Sequence, residues 1–413
     1  MIHTNQDRND MNSTRRLTLL AAHVALALAL PALADAAPGY PLPTPAMQAV
    51  IDKDTARHFG DAPADAGPLA TDLSPELTPA AIDKALRRVA DWQLARARPY
   101  FSRIWTESVM YTGFMAASDA TGEPKYRDAM LAMARHFDFQ ERDRLPNADD
   151  LSIAQTYLDL YFQEKNPGML RLTKAEMDDL LPLSTLKPGD ARIPWWWCDA
   201  LFMAPPVWAR MYRATGERKY LDYMHLNWKR TYDLLYDKAE HLYARDASYK
   251  DKREPNGKKV FWSRGEGWVM GGLARVLDYV PADDPRRGFY VGQLREMADR
   301  IASLQGPDGL WHAGLLDPQA YPLPEISGSA LFVFGMAYGV NHGLLDGAKY
   351  RPVIAKAWAG ILGNVYAHGR LGNIQQTGAE PAFYRPTSSF DYGVGGFMLA
   401  AAELKRMAQG GAR

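Results

Sequence analysis

A turn written twice constrains this chain more than any other feature. Residues 111–126 run Tyr-Thr-Gly-Phe-Met-Ala-Ala-Ser-Asp-Ala-Thr-Gly-Glu-Pro-Lys-Tyr, and 202–220 close on Arg-Ala-Thr-Gly-Glu-Arg-Lys-Tyr. Each copy is an apolar helix rich in small residues, then Ala-Thr-Gly-Glu-x-Lys-Tyr, then a second, amphipathic helix. Gly122 and Gly216 suit the left-handed residue that closes a helix. Weaker copies lead into Asn166-Pro167-Gly168, Asp283-Asp284-Pro285 and Asp346-Gly-Ala-Lys-Tyr350. Helical pairs recurring at roughly 45–70 residues read as a helical array.

The count is six pairs. The first helices, with charged faces, are expected near 79–97, 126–137, 167–180, 220–236, 287–303 and 350–367. The second helices are apolar and small-residue-rich, near 106–118, 150–162, 199–213, 266–279, 329–341 and 392–405. Gly395-Gly396-Phe-Met-Leu-Ala-Ala-Ala402 allows close backbone approach. An open array of such helices would expose its ends, so the expected fold is all-α, a closed (α/α)6 barrel. Pro205-Pro206 either starts its helix near 204 or kinks it, because proline is tolerated only in a first turn.

Arg15 and Arg16 precede an apolar run from 17 to 30, and Ala34-Asp35-Ala36 offers a small-x-small cleavage site. That pattern predicts a secretory signal over 1–36 and a periplasmic or secreted protein. Thr14-Arg15-Arg16-Leu17 partly resembles a twin-arginine signal, but Thr18 stands where Phe is usual, so the export route stays open. Residues 37–78, rich in Ala, Pro, Asp and Gly, read as an arm or linker with one short helix near 46–58. The catalytic domain is expected at 79–408. Cys198 is the single cysteine, which excludes an internal disulfide. Lys and Arg together number 48, as do Asp and Glu, so nothing points to nucleic acid or to a basic membrane surface. The nine histidines show no His-x-His or His-x-x-x-His spacing, and no metal site or cofactor is expected.

If the second helices run parallel, their N-terminal ends share one mouth. Asp149-Asp150, Trp195 to Asp199, Trp262-Ser-Arg264-Gly-Glu266-Gly-Trp268, Glu325-Ile-Ser-Gly-Ser329 and Ser388-Ser-Phe-Asp-Tyr392 all fall there. Indole faces bury the flat C–H surface of a sugar. A carboxylate held among indoles loses hydration, so its pKa rises and it can act as an acid near neutrality. Asp199 is therefore the expected catalytic acid, with a helix N-cap as its alternative. Of the adjacent pair, Asp150 is preferred to Asp149 because it lies nearer the apolar run. Helix N-termini favour an anion, and Arg264 adds a carboxylate fork, unless it pairs with Glu266. The expected partner is a small acidic oligosaccharide.

Trp196-Trp197-Cys198-Asp199-Ala200-Leu201-Phe202-Met203-Ala204-Pro205-Pro206 resembles the signature of glycoside hydrolase family 105, the unsaturated rhamnogalacturonyl hydrolases, relatives of the unsaturated glucuronyl hydrolases of family 88. The Trp262-x-Arg264-x-x-x-Trp268 segment, Asp149-Asp150 before a helix, Ser327-Gly328-Ser329 and 392–400 are similar too. The resemblance covers about residues 80–404. It implies an (α/α)6 barrel and hydrolysis of unsaturated uronyl oligosaccharides left by pectin-type lyases, by hydration of the C4=C5 vinyl ether. Asp199 would protonate C4 and assist water addition at C5, with Asp150 holding ring hydroxyls and keeping Asp199 protonated. Trp262, Arg264 and Trp268 would form the wall and carboxylate site, joined in binding by Trp197, Asp149, Ser327 and Ser329. Two departures stand out. Glu266 replaces a frequent Asn, adding an acid near an anion site, and Arg245 stands where some members place a His. An inverting glycosidase on a saturated acidic sugar and a non-catalytic periplasmic sugar-binding protein remain as alternatives. Galacturonyl or glucuronyl specificity, the aglycone and the oligomeric state are not legible.

Overall fold

The structure, a computed structural model, describes residues 59–142, 144, 146–182 and 193–411. Of the chain's two compact units, Met1–Tyr40 lies wholly outside these residues, and with it the leader expected at 1–36. The short helix expected near 46–58 also lies outside them. No helix among the described residues is long and apolar enough to cross a membrane.

From Pro79 onward the chain alternates between outer and inner helices. The first pair is α1 (Pro79–Ala97) and α2 (Trp105–Thr121). In the second, α3 (Pro124–His136) precedes an inner helix split into α4 (Ala148–Leu151) and α5 (Ala154–Glu164). The third has α6 (Gly168–Leu180), then a split inner helix, α7 (Ala200–Met203) and α8 (Pro205–Thr215). The remaining pairs are α9 (Lys219–Leu235) with α10 (Ser263–Leu277), α11 (Arg287–Ser303) with α12 (Ile326–Asn341), and α13 (Gly347–Leu362) with α14 (Asp391–Ala408). Each inner helix packs on the next, and α14 closes on α2, so the six pairs described form an (α/α)6 barrel.

Local chemistry explains the boundaries. Thr78 caps α1 by accepting from the Ala81 N–H at 3.3 Å, and Pro79 occupies the first turn, where no N–H is missed. The repeated glycines end their helices as expected: Gly122 at φ 71° donates to Ser118 O, and Gly216 at φ 75° to Tyr212 O. The proline pair splits its helix, with Ala204 as the joint and Pro205 opening α8. Several boundaries differ from those expected by a few residues, α13 among them: it runs Gly347–Leu362, beginning where Asp346 caps the Ala348 N–H, and Pro352 falls inside the helix.

Small residues set the spacing of the inner ring. A Cβ on Gly395 would stand 2.7 Å from the Val109 carbonyl oxygen, and one on Gly113 would stand 2.8 Å from that of Gly395. A Cβ on Gly272 of α10 would overlap the Leu201 carbonyl of α7. The described part of the arm is pinned to the barrel. β1 (Gly60–Asp61) and a later strand, Ser389–Phe390, pair antiparallel, and the Arg370 Nη2 donates to Asp61 Oδ1 at 2.6 Å. A hairpin of β2 (Tyr236–Asp237) and β3 (Leu242–Tyr243) delivers Arg245 to the mouth at the N-terminal ends of the inner helices.

Candidate active site

Asp199 follows a stretch of turns with one bridge and begins α7. The stretch is held by backbone pairing: Trp197 bridges antiparallel to Asp246, and the Cys198 N–H donates to Arg245 O at 2.8 Å. Thr231 Oγ1 donates to Trp195 O at 2.6 Å, tying the stretch to the outer helix α9. Trp195 and Trp197 are buried, while Trp196 is 48% exposed.

Beyond Asp199, Pro205 and Pro206 have no N–H to offer the carbonyls one turn earlier. Gln155 of α5 fills part of the gap, donating from Nε2 to Phe202 O at 2.8 Å and Met203 O at 3.1 Å. α7 is thereby held from its carboxyl end by a neighbouring helix.

Asp199 is 8% exposed. Burial raises its pKa, and the nearby charges of Arg245 and Arg264 oppose the rise. Arg245 Nε lies 3.6 Å from Asp199 Oδ2, and its Nη1 donates to Asp246 Oδ2 at 2.8 Å. The Cys198 thiol points at the same Asp199 oxygen, 3.5 Å away.

The neighbour across the site is Asp149. Asn147 caps α4 by accepting from the Asp149 N–H at 2.9 Å. The Asp149 carboxyl is pushed up to about 7, first by burial and then by the charges of Asp199 and Asp150. The Asp199 charge thus favours the protonated form of Asp149.

Asp150, expected as the second catalytic acid, is placed otherwise. It is fully buried and clamped by Arg144, with Nε to Oδ2 at 2.9 Å and Nη2 to Oδ1 at 2.7 Å, and the Arg144 N–H adds a third bond. Both oxygens of Asp150 are engaged in holding the loop before α4. Adjacent positions on a helix point about 100° apart, so only one of the two acids can face the partner.

Several expected sugar contacts also differ. Arg264 is 1% exposed, and its fork is closed on backbone carbonyls, Nη1 to Gln375 O at 2.7 Å and Nη2 to Gln376 O at 2.9 Å. Its guanidinium lies between the rings of Trp262 and Tyr392. It makes no pair with Glu266, which accepts from the Tyr243 N–H at 2.8 Å. Burial pushes the Glu266 carboxyl well above its usual range. The Trp262 indole N–H donates to Gln375 Oε1. Trp268 is wholly buried against Trp105, Phe202 and Tyr392, a core residue. Ser327 and Ser329 have no exposed surface; Ser327 bonds the capping Glu325, and Ser329 Oγ accepts from the Trp311 N–H. Both stabilise the start of α12 and contact no open space. Trp197 is 5% exposed and lies under Trp196.

The residues that do reach the opening were not singled out as site members. Trp196 is half exposed, and the Arg245 guanidinium, which also approaches Asp199, sits 5.6 Å from its ring. Its place in the Trp-Trp-Trp run before Asp199 was the available signal for Trp196. The arrangement can hand a proton from a buried acid pair to a ligand resting on an indole, and can then take one from water.

The sequence profile described as Glycosyl Hydrolase Family 88 matches residues 79–408. An unsaturated 3S-rhamnoglycuronyl hydrolase of Formosa agariphila is 39% identical over 344 residues, 79% of this chain and 91% of its own length. A second protein of that name, from Alteromonas sp., is 31% identical over 81% of this chain and 89% of its own. A solved family 88 glycosyl hydrolase from Bacteroides vulgatus superposes with a TM-score of 0.74 at 31% identity, covering 80% of this chain and 99% of its own.

Proposed function

The chain belongs to glycosyl hydrolase family 88, and from that premise we propose that it releases an unsaturated uronyl residue from a short oligosaccharide, with Asp199 and Asp149 as the working acid pair. The observation that carries this reading is the placement of buried Asp199 at the start of α7 beside Arg245, with the Asp149 carboxyl raised by burial and by the Asp199 charge.

The singly protonated pair delivers its proton to C4 of the C4=C5 vinyl ether. The same carboxylate then removes a proton from the water that adds at C5. The product is a hemiketal at C5. Its collapse breaks the bond from C5 to the ring oxygen, leaves a ketone at C5 and turns C1 into a hemiacetal that releases the next sugar. Atoms balance with one water consumed. Trp196 supplies the face on which a sugar rests, and Arg245 supplies positive charge beside the reacting acid.

The names of the two curated relatives support a uronyl–rhamnose substrate. The resemblance in sequence had pointed to rhamnogalacturonan fragments, and the two substrates share the unsaturated uronyl ring. Neither the saturated-sugar glycosidase nor the binding-only reading is favoured by these relatives. The proposal includes export by the leader read at 1–36, with its check in the N-terminal sequence of the mature protein.

The test is the ultraviolet absorbance of unsaturated uronyl–rhamnose disaccharides, one glucuronyl-derived and one galacturonyl-derived. Loss of the vinyl-ether band with wild type and not with Asp199→Asn is the expected result. Cleavage of a saturated analogue at a similar rate would overturn the hydration chemistry.

A further inference from the structure

The inner helices that carry the acid pair at one mouth frame a second recess at the other. Arg264 and Arg275 lie eleven residues apart on α10, about 16 Å along the axis. Around Arg275 opens a cavity of about 490 Å³. Ligand sites commonly span about 300–1,000 Å³.

Its floor is a chain of buried polar groups. Arg210 Nε donates to Asp159 Oδ1 at 2.7 Å, and its Nη1 donates to Pro206 O at 3.2 Å. Arg275 Nε donates to Gln155 Oε1 at 2.6 Å. The Arg275 Nη2, 3.5 Å from Asp159 Oδ2, makes no hydrogen bond, although the residue is only 7% exposed. Cations at the last turn of a helix answer its dipole, which accounts for Lys405 and Arg406 on α14. That role does not explain the Arg275 Nη2, a guanidinium nitrogen with an ion-pair neighbour but no hydrogen bond in the lining of a cavity.

The lining carries four carboxylates, Asp159 and Glu403 among them, against four cations, Arg210 and Arg275 among them. A free anion would meet the carboxylates and a free cation the guanidiniums, each at low hydration. A neutral molecule rich in hydroxyls meets neither penalty, since one hydroxyl accepts from Arg275 and others donate to the acids. Phe162 and Tyr279, stacked at 5.8 Å between centroids, add flat apolar surface at the side. We propose that this recess binds a neutral sugar, one or two rings in size, independently of the catalytic mouth.

The probe is L-rhamnose, with galacturonic acid as its charged counterpart, followed by saturation-transfer NMR on the full chain. Ala116→Phe on α2 and Ala402→Phe on α14 each place a ring in the cavity from a partly exposed position, so neither variant removes a buried bond. Thermal melting reports whether each one folds. The expected result is transfer to rhamnose in wild type, an affinity at least tenfold weaker in the folded variants, and hydrolysis within twofold of wild type. Absent transfer in wild type overturns the proposal, as does transfer that both variants leave intact. Galacturonic acid binding more tightly than rhamnose with the same sensitivity overturns the neutral assignment.

Discussion

Arg245 Nε and Asp199 Oδ2 stand 3.6 Å apart, with the remainder of the guanidinium shared with Asp246 and set above the exposed ring of Trp196. The positive charge stabilises the ionised form of Asp199 and so limits the rise that burial alone would impose. Replacing Arg245 by Gln removes that restraint. The Asp199 carboxyl should then hold its proton to higher pH, and the alkaline limb of kcat/KM should move upward. An unchanged pH profile would show that the charge does not act on the acid.

The wild-type profile follows from the Asp149 carboxyl, raised to about 7. Below that pH Asp149 keeps its proton; above it Asp149 ionises and the pair loses that proton. Hydration should therefore fall as pH rises through about 7. Asp149→Asn removes that titrating group and should cost on the order of 10²-fold in kcat, within the range for a positioned acid or base. Steady-state rates from pH 5 to 9 decide it, and a rate that stays flat to pH 9 contradicts the assignment.

Asp150→Asn is the companion experiment. Its carboxylate anchors Arg144, and because Arg144 is largely exposed the loss is modest, about 1–3 kcal/mol. A lower melting temperature is expected together with an unmoved pH optimum. If instead the optimum shifts and stability does not, Asp150 and not Asp149 is the titrating partner.

Two further buried acids make stability depend on pH. Asp391 accepts from Gln93 Nε2 at 2.6 Å and is raised to about 7 by burial. Glu107 accepts from the Tyr111 hydroxyl and is raised to about 8 by burial and by Asp391. Between about pH 4 and these values the folded chain binds protons that the unfolded chain has released, so their contribution is greatest in acid and is lost as pH rises through 7 to 8. Melting temperature should decline from pH 5 to 8.5, and Asp391→Asn should flatten that decline. An equal slope in both proteins would refute it.

Gly272→Ala tests how tightly the acid is placed. The added methyl overlaps the Leu201 carbonyl, so α7 must move or α10 must withdraw. A loss of about 1–3 kcal/mol with a fall in kcat is expected from melting and kinetics. Full activity in a destabilised protein would mean that α7 tolerates the shift.

Much of the barrel was legible because its punctuation is chemical. Gly122 and Gly216 close helices where the repeat places them, and the bounds of α1 and α11 are those expected from the hydrophobic period. The site was legible in its segments but not in its side chains. Asp149 and Asp150 differ by one helical step, and the choice between them rests on Arg144, whose position depends on the loop's path and not on any spacing. Arg264, Ser327 and Ser329 stand where a sugar contact is plausible, but carbonyls, the capping Glu325 and Trp311 occupy them. Such competition between ligand and scaffold for the same donors is decided by tertiary packing alone.

The bonds from Gln155 to the carbonyls of Phe202 and Met203 mean that Asp199 is not located by its own segment. A four-residue helix is too short to persist by itself, and its missing donors come from Gln155, 47 and 48 positions before the carbonyls it meets. Helix content and catalytic competence should therefore part company during folding. The chain can recover its secondary structure and remain inert until α5 docks on α7, so activity reports the closing of the ring where circular dichroism reports only its staves.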